Sequence, residues 1–339
     1  MKHSFIVLVT ASLVLFSCDN ADKIPEVSNI KLNLTTDRFE KKLFDTTAAS
    51  FTVYLQQLQN GAPAFTGYYL NEILNADPKW PADSTARYVN GFVKAYRSVY
   101  DSAEKLFRDF SKYENEIKHG LQFVKHYFPN YKLPEKIITY IGPADGYGDI
   151  LLSGESLIIG LQHHLGKNFS LYKTDMVQQI YPEYISNRFQ PGYIIVNCMK
   201  NIVNDIAAPK ETDKPLINQL VEKGKQLYLL NKFLPTTEEY KLIGYKPAQL
   251  KDCYDHEAVI WDLFVKNSLL QTTDKNIIKT YLDEGPKTQE LGEGAPGNVG
   301  SFTGWQIVKK YMRNNAAITL QELIALDNET LFQAAKYKP

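Results

Sequence analysis

Cysteine is scarce in this 339-residue chain, with three in all, at 18, 198 and 253. Cys198 and Cys253 could pair in an oxidising compartment, but two cysteines with no local spacing pattern are weak evidence for a bridge. Two buried free thiols are the expectation. Net charge is lacking too. Lys+Arg and Asp+Glu both number 38, so no overall field recruits nucleic acid or draws the body onto anionic lipid. No long apolar run is available for a membrane span. The N-terminal stretch Phe5–Leu15 is about half of the roughly 20 residues needed to cross the hydrocarbon. Catalytic patterns are missing as well: there is no G-x-S-x-G elbow, no G-x-x-x-x-G-K-[ST] loop, no C-x-x-C and no internal repeat.

The patterns that suggest chemistry fail on context. Gly292-Glu293-Gly294-Ala295-Pro296-Gly297 fits G-x-G-x-x-G, but Lys287-Thr288-Gln289-Glu290 is too polar to be the strand a dinucleotide fold requires. Backbone freedom in a tight loop explains those glycines better. His163-His164 looks like a metal pair, yet neighbours diverge by about 100° on a helix and point to opposite faces on a strand. One packed and one solvated histidine is the expectation. His256-Glu257 begins like H-E-x-x-H, but position 260 is Ile, so the second ligand is absent. Asp145, Asp149 and Glu155 could gather around a cation, at spacings that do not match an EF-hand. No cofactor and no metal ligand set is therefore expected.

What is present begins at the N-terminus. Lys2, the apolar stretch Phe5–Leu15 and then Leu15-Phe16-Ser17-Cys18 follow the order of a secretory signal. The ending resembles the lipobox of bacterial lipoproteins, whose cysteine thiol takes a diacylglycerol while the chain before it is removed. The expectation is a signal peptide over 1–17, a lipidated Cys18 carrying palmitate-type acyl chains, a polar tether over 18–26, and a single globular helix-rich domain over 27–339. Such a body sits outside the cytoplasm, held by lipid. Hydrophobic residues at 44% and charged residues at 22% describe an ordinary globular protein.

Periodicity places the elements. Ile30, Leu32 and Leu34 alternate with polar residues as a half-buried strand does. Asp45 is placed to cap a helix running to Gln59. Ser84–Tyr127 is helical without a proline, which predicts two or three consecutive helices. Ile137–Ile141 and Ser156–Leu161 read as buried strands. Helices follow around Ile194–Ile206, Leu216–Phe233, Pro247–Val265 and Phe302–Arg313. Gly285–Gly300 is the one long irregular segment, and ordered loops of that length are often functional. The fold class is α+β, predominantly helical with a small central sheet.

Several separated segments carry a resemblance. Gly148-Asp149-Ile150-Leu151-Leu152 leads to Leu161 through Phe169, then to Tyr181-Pro182-Glu183-Tyr184, Asn187-Arg188-Phe189 and Pro191-Gly192-Tyr193-Ile194. Glu284 through Thr288 precedes Ala295-Pro296-Gly297-Asn298-Val299-Gly300 and Gly304-Trp305-Gln306-Ile307-Val308. With the lipobox, the chain resembles the GldB family of gliding-motility lipoproteins of the Bacteroidetes, from Cys18 to about Met312. The resemblance implies an envelope lipoprotein needed for surface gliding, a process tied to type IX secretion, with no established enzymatic activity. It also implies a distant likeness to zinc proteases, a degenerate zincin-like fold in which Asn197-Cys198-Met199-Lys200-Asn201 stands where their metal motif would lie. Carboxamides are poor zinc ligands and a thiol cannot replace the water-activating carboxylate.

The resulting reading is a lipid-anchored, non-catalytic envelope protein, most expected at the outer membrane, acting through contacts with other gliding or secretion proteins and not with nucleic acid. The expected partner surface comprises Glu293, Asn298 and Trp305, the alternative for Trp305 being a core position beside Ile307 and Val308 under the loop. The rivals are an envelope metal-dependent hydrolase built around Asp149, Glu155, His163 and His164, and a glycan- or peptide-binding lipoprotein.

Overall fold

The computed structural model describes residues 23–145 and 150–339. Cys18, the signal segment and Asp149 lie outside the described residues. Helices dominate, and a four-stranded mixed sheet runs in the order β1 (Thr35–Arg38), β2 (Lys136–Tyr140), β4 (Ser156–Gly160), β3 (Ile150–Ser153). β1 and β4 both lie parallel to β2, and β3 closes the edge antiparallel to β4, with Ile150 opposite Ile159. Ile137, Ile138 and Tyr140 in β2 and Leu157, Ile158 and Ile159 in β4 are all buried. That explains continuous apolar runs there, because a strand covered on both faces has no solvent side to alternate with.

Two expectations near the N-terminus are corrected. Ile30–Leu34 is not a strand; pairing begins at Thr35, whose N–H reaches the Glu135 carbonyl at 3.1 Å. Ile30 closes a turn onto the Val27 carbonyl at 3.0 Å, and the Gln122 amide donates to the Ile30 carbonyl at 2.8 Å, occupying an acceptor a ladder would use. Asp45 does not cap the following helix. It ends the Phe39–Phe44 helix and accepts the Tyr100 hydroxyl at 2.5 Å, while Ser50 caps Phe51–Gly61.

The proline-free stretch forms three consecutive helices, Ala82–Ala95, Arg97–Phe107 and Ser111–Tyr127. The first two pack on aromatic contacts that include Phe92 on Tyr96, stacked at 4.5 Å, and Phe44 on Tyr100, stacked at 4.8 Å. Pro247–Val265 resolves into two helices, Pro247–Asp255 and Glu257–Lys266, hinged at His256. His256 Nδ1 lies 2.9 Å from the Asp252 carbonyl, and Glu257 accepts the Tyr337 hydroxyl at 2.6 Å. Both ends of that H-E dipeptide are thus engaged in capping and tertiary contacts.

The centre of the core is the crossing of two helices, Leu216–Phe233 and Val299–Asn314. A Cβ added to Gly304 would run into the Leu220 carbonyl, and one added to Gly224 would meet the Gly304 carbonyl. Gly300, one turn before Gly304, lies against Leu220 and the Tyr281 carbonyl. Only hydrogen at these positions lets two backbones come this close, and the reward is dense dispersion contact along the seam. Phe302, Trp305, Ile307 and Val308 are all buried beside it. Cys198 and Cys253 are buried and take part in no disulfide, and burial pushes the Cys253 thiol up to about 12.

Candidate functional site

One broad concavity is a cleft of about 810 Å³ walled by Tyr184–Arg188, the turn Tyr240–Gln249, and both ends of the irregular segment, Glu284–Pro286 and Pro296–Asn298. Its size is in the range of ordinary ligand-binding clefts. Arg188 and Glu284, 96 residues apart in sequence, form a fork-to-fork pair across it, with Nη1 to Oε1 at 2.7 Å and Nη2 to Oε2 as the second arm. Such bidentate pairs fix geometry as well as charge. Burial acts to raise the Glu284 carboxyl, but the hydrogen bond and charge of Arg188, aided by Lys200 and Lys223, outweigh it and hold the group below its ordinary value.

Local chain geometry makes room for this pair. Gly244 ends the Glu239–Ile243 helix at φ 86°, and a Cβ there would strike the Arg188 guanidinium. The left-handed turn and the open space are both needed, which selects glycine. Next to it the buried Tyr245 donates its hydroxyl to the Asn298 carbonyl at 3.0 Å. Asn298 is itself left-handed, at φ 59°, and stands at the N-cap of Val299–Asn314. Asparagine tolerates that conformation better than most residues. Its side-chain oxygen is buried with no hydrogen-bond partner. Tyr193, which also lines the cleft, has its hydroxyl pushed up to about 12, by burial first and despite the nearby Arg188 charge.

The Gly285–Gly300 segment is closed on itself. Gly297 packs its backbone against Gly285, where an added Cβ would sit 2.5 Å from the Gly285 oxygen. Thr288 Oγ1 donates to the Pro296 carbonyl at 2.7 Å inside the loop, and Tyr281 donates to Glu290 at 3.0 Å. The tip, Gly292–Gly294, is exposed, with Gly292 at φ 89° and Glu293 paired with Lys287. A 3-10 turn, Gln289–Leu291, precedes those glycines where a dinucleotide fold would need a strand.

The residues singled out from sequence separate here. Glu293 is exposed at the tip and Asn298 lines the cleft. Trp305 is corrected: its side chain is 0% exposed, so it belongs to the core and not to a contact surface. Lys309 Nζ lies 3.9 Å from its ring centroid and covers the indole from outside. His163 and His164 are also corrected, because both are buried and neither is in solvent. His163 packs at 4.9 Å from Phe189 and 5.1 Å from Tyr181, and His164 Nδ1 lies 3.4 Å from the Gln190 carbonyl. They pack against residues that flank Arg188 in the chain, Phe189 and Gln190. Glu155 is held by Lys132 at 2.6 Å. Among the described residues no group of three or more His, Cys, Asp or Glu is placed to hold a metal ion. In the Ile194–Ile206 helix, the Asn201 side chain donates to the Asn197 carbonyl at 3.0 Å and Asp205 accepts the Tyr131 hydroxyl at 2.7 Å. Nothing in that stripe supports the zincin-like comparison.

Arg188, Glu284, Gly244 and Tyr245 went unassigned as site residues in the sequence reading. Asn187-Arg188-Phe189, Glu284-Gly285-Pro286 and Pro296-Gly297-Asn298 stood out as segments of resemblance, but only folding brings them to one cleft. Among the described residues no helix is long and apolar enough to cross a membrane. A family model described as "Gliding motility protein GldB" matches residues 20–339. No curated protein and no solved structure matches the chain.

Proposed function

The chain belongs to the gliding motility protein GldB family, and from that premise we propose that it is a lipid-anchored, non-catalytic component of the gliding and secretion apparatus that works by holding other envelope proteins. Family membership carries the involvement in gliding. Its action through protein contacts rests on one observation: segments near 187, 244, 285 and 297 converge on a single polar cleft built around an ion pair. Loops held by a rigid scaffold are where recognition concentrates. In this reading Cys18 carries the acyl anchor, 18–26 is a tether, and 27–339 works as one body at the outer membrane. Glu293 and Asn298 mark the rim of the contact surface.

Two experiments test the two halves of the proposal. Cys18→Ser is expected to leave an unprocessed precursor, since one thiol serves both lipidation and cleavage. A matured, membrane-bound mutant labelled by a fatty-acid probe would remove the anchor. A scrambled 289–294 tip, which leaves Asn298 and its Tyr245 bond in place, is expected to impair gliding at normal protein level. Full motility with that loop would move the contact surface elsewhere.

A further inference from the structure

Adjoining the main cleft is a recess of about 220 Å³ that shares Ile243, Glu284 and Asn298 with it as common wall. Lys200, from the Ile194–Ile206 helix, and Lys223, from the Leu216–Phe233 helix, both line this recess. Across the two cavities the lining cations are Lys167, Lys200, Lys223, Lys246 and Arg188, and the lining carboxylates are Glu183 and Glu284. The surplus of positive groups is local, because the whole chain carries a formal net charge of zero. Concave walls concentrate such a field more than a flat surface does. The positive potential reaches the shared wall, where Lys200 and Lys223 both help keep Glu284 ionised.

We propose, resting on the contact-surface reading above, that the occupant of this cleft is an extended acidic segment of a partner protein, with an acidic side chain seated in the Lys200–Lys223 recess. A lone phosphate or a single lipid headgroup would use the recess and leave the 810 Å³ trough empty. A chain segment fills both. Tyr184, Tyr193 and Tyr240, with Pro247 and Pro286, give the trough apolar bodies edged with hydroxyls, a lining suited to peptide.

The test uses the mature full-length protein in detergent and a fluorescein-labelled peptide of repeating Glu-Gly-Tyr. The controls are its Gln-Gly-Tyr counterpart and an oligogalacturonate. The acidic peptide is expected to bind at least about tenfold more tightly than the neutral one, with affinity falling as salt rises. Lys200→Glu combined with Lys223→Glu is expected to lower that affinity at least about tenfold with the melting temperature unchanged. The milder Lys200→Gln with Lys223→Gln is expected to give an intermediate loss, and remains informative should the reversal fail to fold. Equal binding of both peptides, undiminished binding by the double variants, or preference for the oligogalacturonate would each overturn the proposal. Gliding assays separate its failure from that of the broader reading. If the lysine variants glide normally while Tyr184→Ala with Tyr240→Ala does not, the acidic occupant is wrong and the contact cleft stands. If both glide normally at wild-type protein level, the contact cleft falls as well.

Discussion

Residues 285–298 and 299–314 are neighbours in the chain and opposites in what they do. The first run is closed by its own hydrogen bonds, exposes a glycine-rich tip and gives Asn298 to a polar cleft. The second is buried along most of its length and presses glycine against the backbone of the Leu216–Phe233 helix. The boundary falls at one left-handed residue, Asn298. A single motif-rich stretch thus contains an exposed polar edge, which we propose as a contact surface, and a structural rivet. Substitutions a few residues apart should therefore fail in different ways, by loss of fold or by loss of gliding.

The contrast is broken most strongly from the core side. Trp305→Ala should cost about 3–5 kcal/mol, the usual cost of emptying a buried aromatic site. A thermal melt reads that loss, and a change below about 1 kcal/mol would place the ring outside the core. Gly304→Ala comes next. Helix propensity alone would favour alanine by about 1 kcal/mol, but the methyl must displace the Leu220 carbonyl, and overpacking of this kind typically costs about 1–3 kcal/mol. A more stable variant would mean that the helices can separate freely.

Titration sharpens the comparison further, because a perturbed group borders each region, Glu284 just before residue 285 and Lys225 on the helix packed against 299–314. Lys225, buried beside the crossing and donating to the Leu326 carbonyl, is lowered from 10.5 to about 8, by burial first and against the pull of Asp327, Glu211 and Glu222. The unfolded chain then binds the extra proton between those values, so stability should rise with pH from about 8 to 10.5. Lys225→Met should flatten that rise in melts taken across the range. Glu284 in the cleft is lowered below 4.5, so its contribution is complete above that pH and is lost as pH falls through the folded value. Glu284→Gln should remove this smaller, acid-side dependence. The smallest stability effect belongs to the tip: Glu293→Gln should change stability by less than about 0.5 kcal/mol while slowing gliding.

Much of the fold was legible because its signals are local. The Leu216–Phe233 and Ile194–Ile206 helices and both central strands announce themselves by periodicity and by flanking prolines and glycines. Ile30–Leu34 alternated correctly and still formed no strand, since a side-chain amide from Gln122 took the Ile30 carbonyl. The glycines at 300 and 304 were visible at one-turn spacing, but the helix they accommodate is some 80 residues earlier. The cleft was harder still. Arg188 and Glu284 meet only after folding, and a single sequence holds no record of that distance. Trp305 was misplaced because an aromatic after a glycine-rich loop serves a core or a contact surface equally well on pattern alone.

We propose that the cleft around Arg188, Glu284 and Asn298 is where this protein meets its partner. The most direct measurement is the gliding speed of cells carrying Tyr184→Ala with Tyr240→Ala, at protein level and melting temperature matched to wild type. Gliding is expected to slow severely or stop. Wild-type speed at matched level would contradict the account.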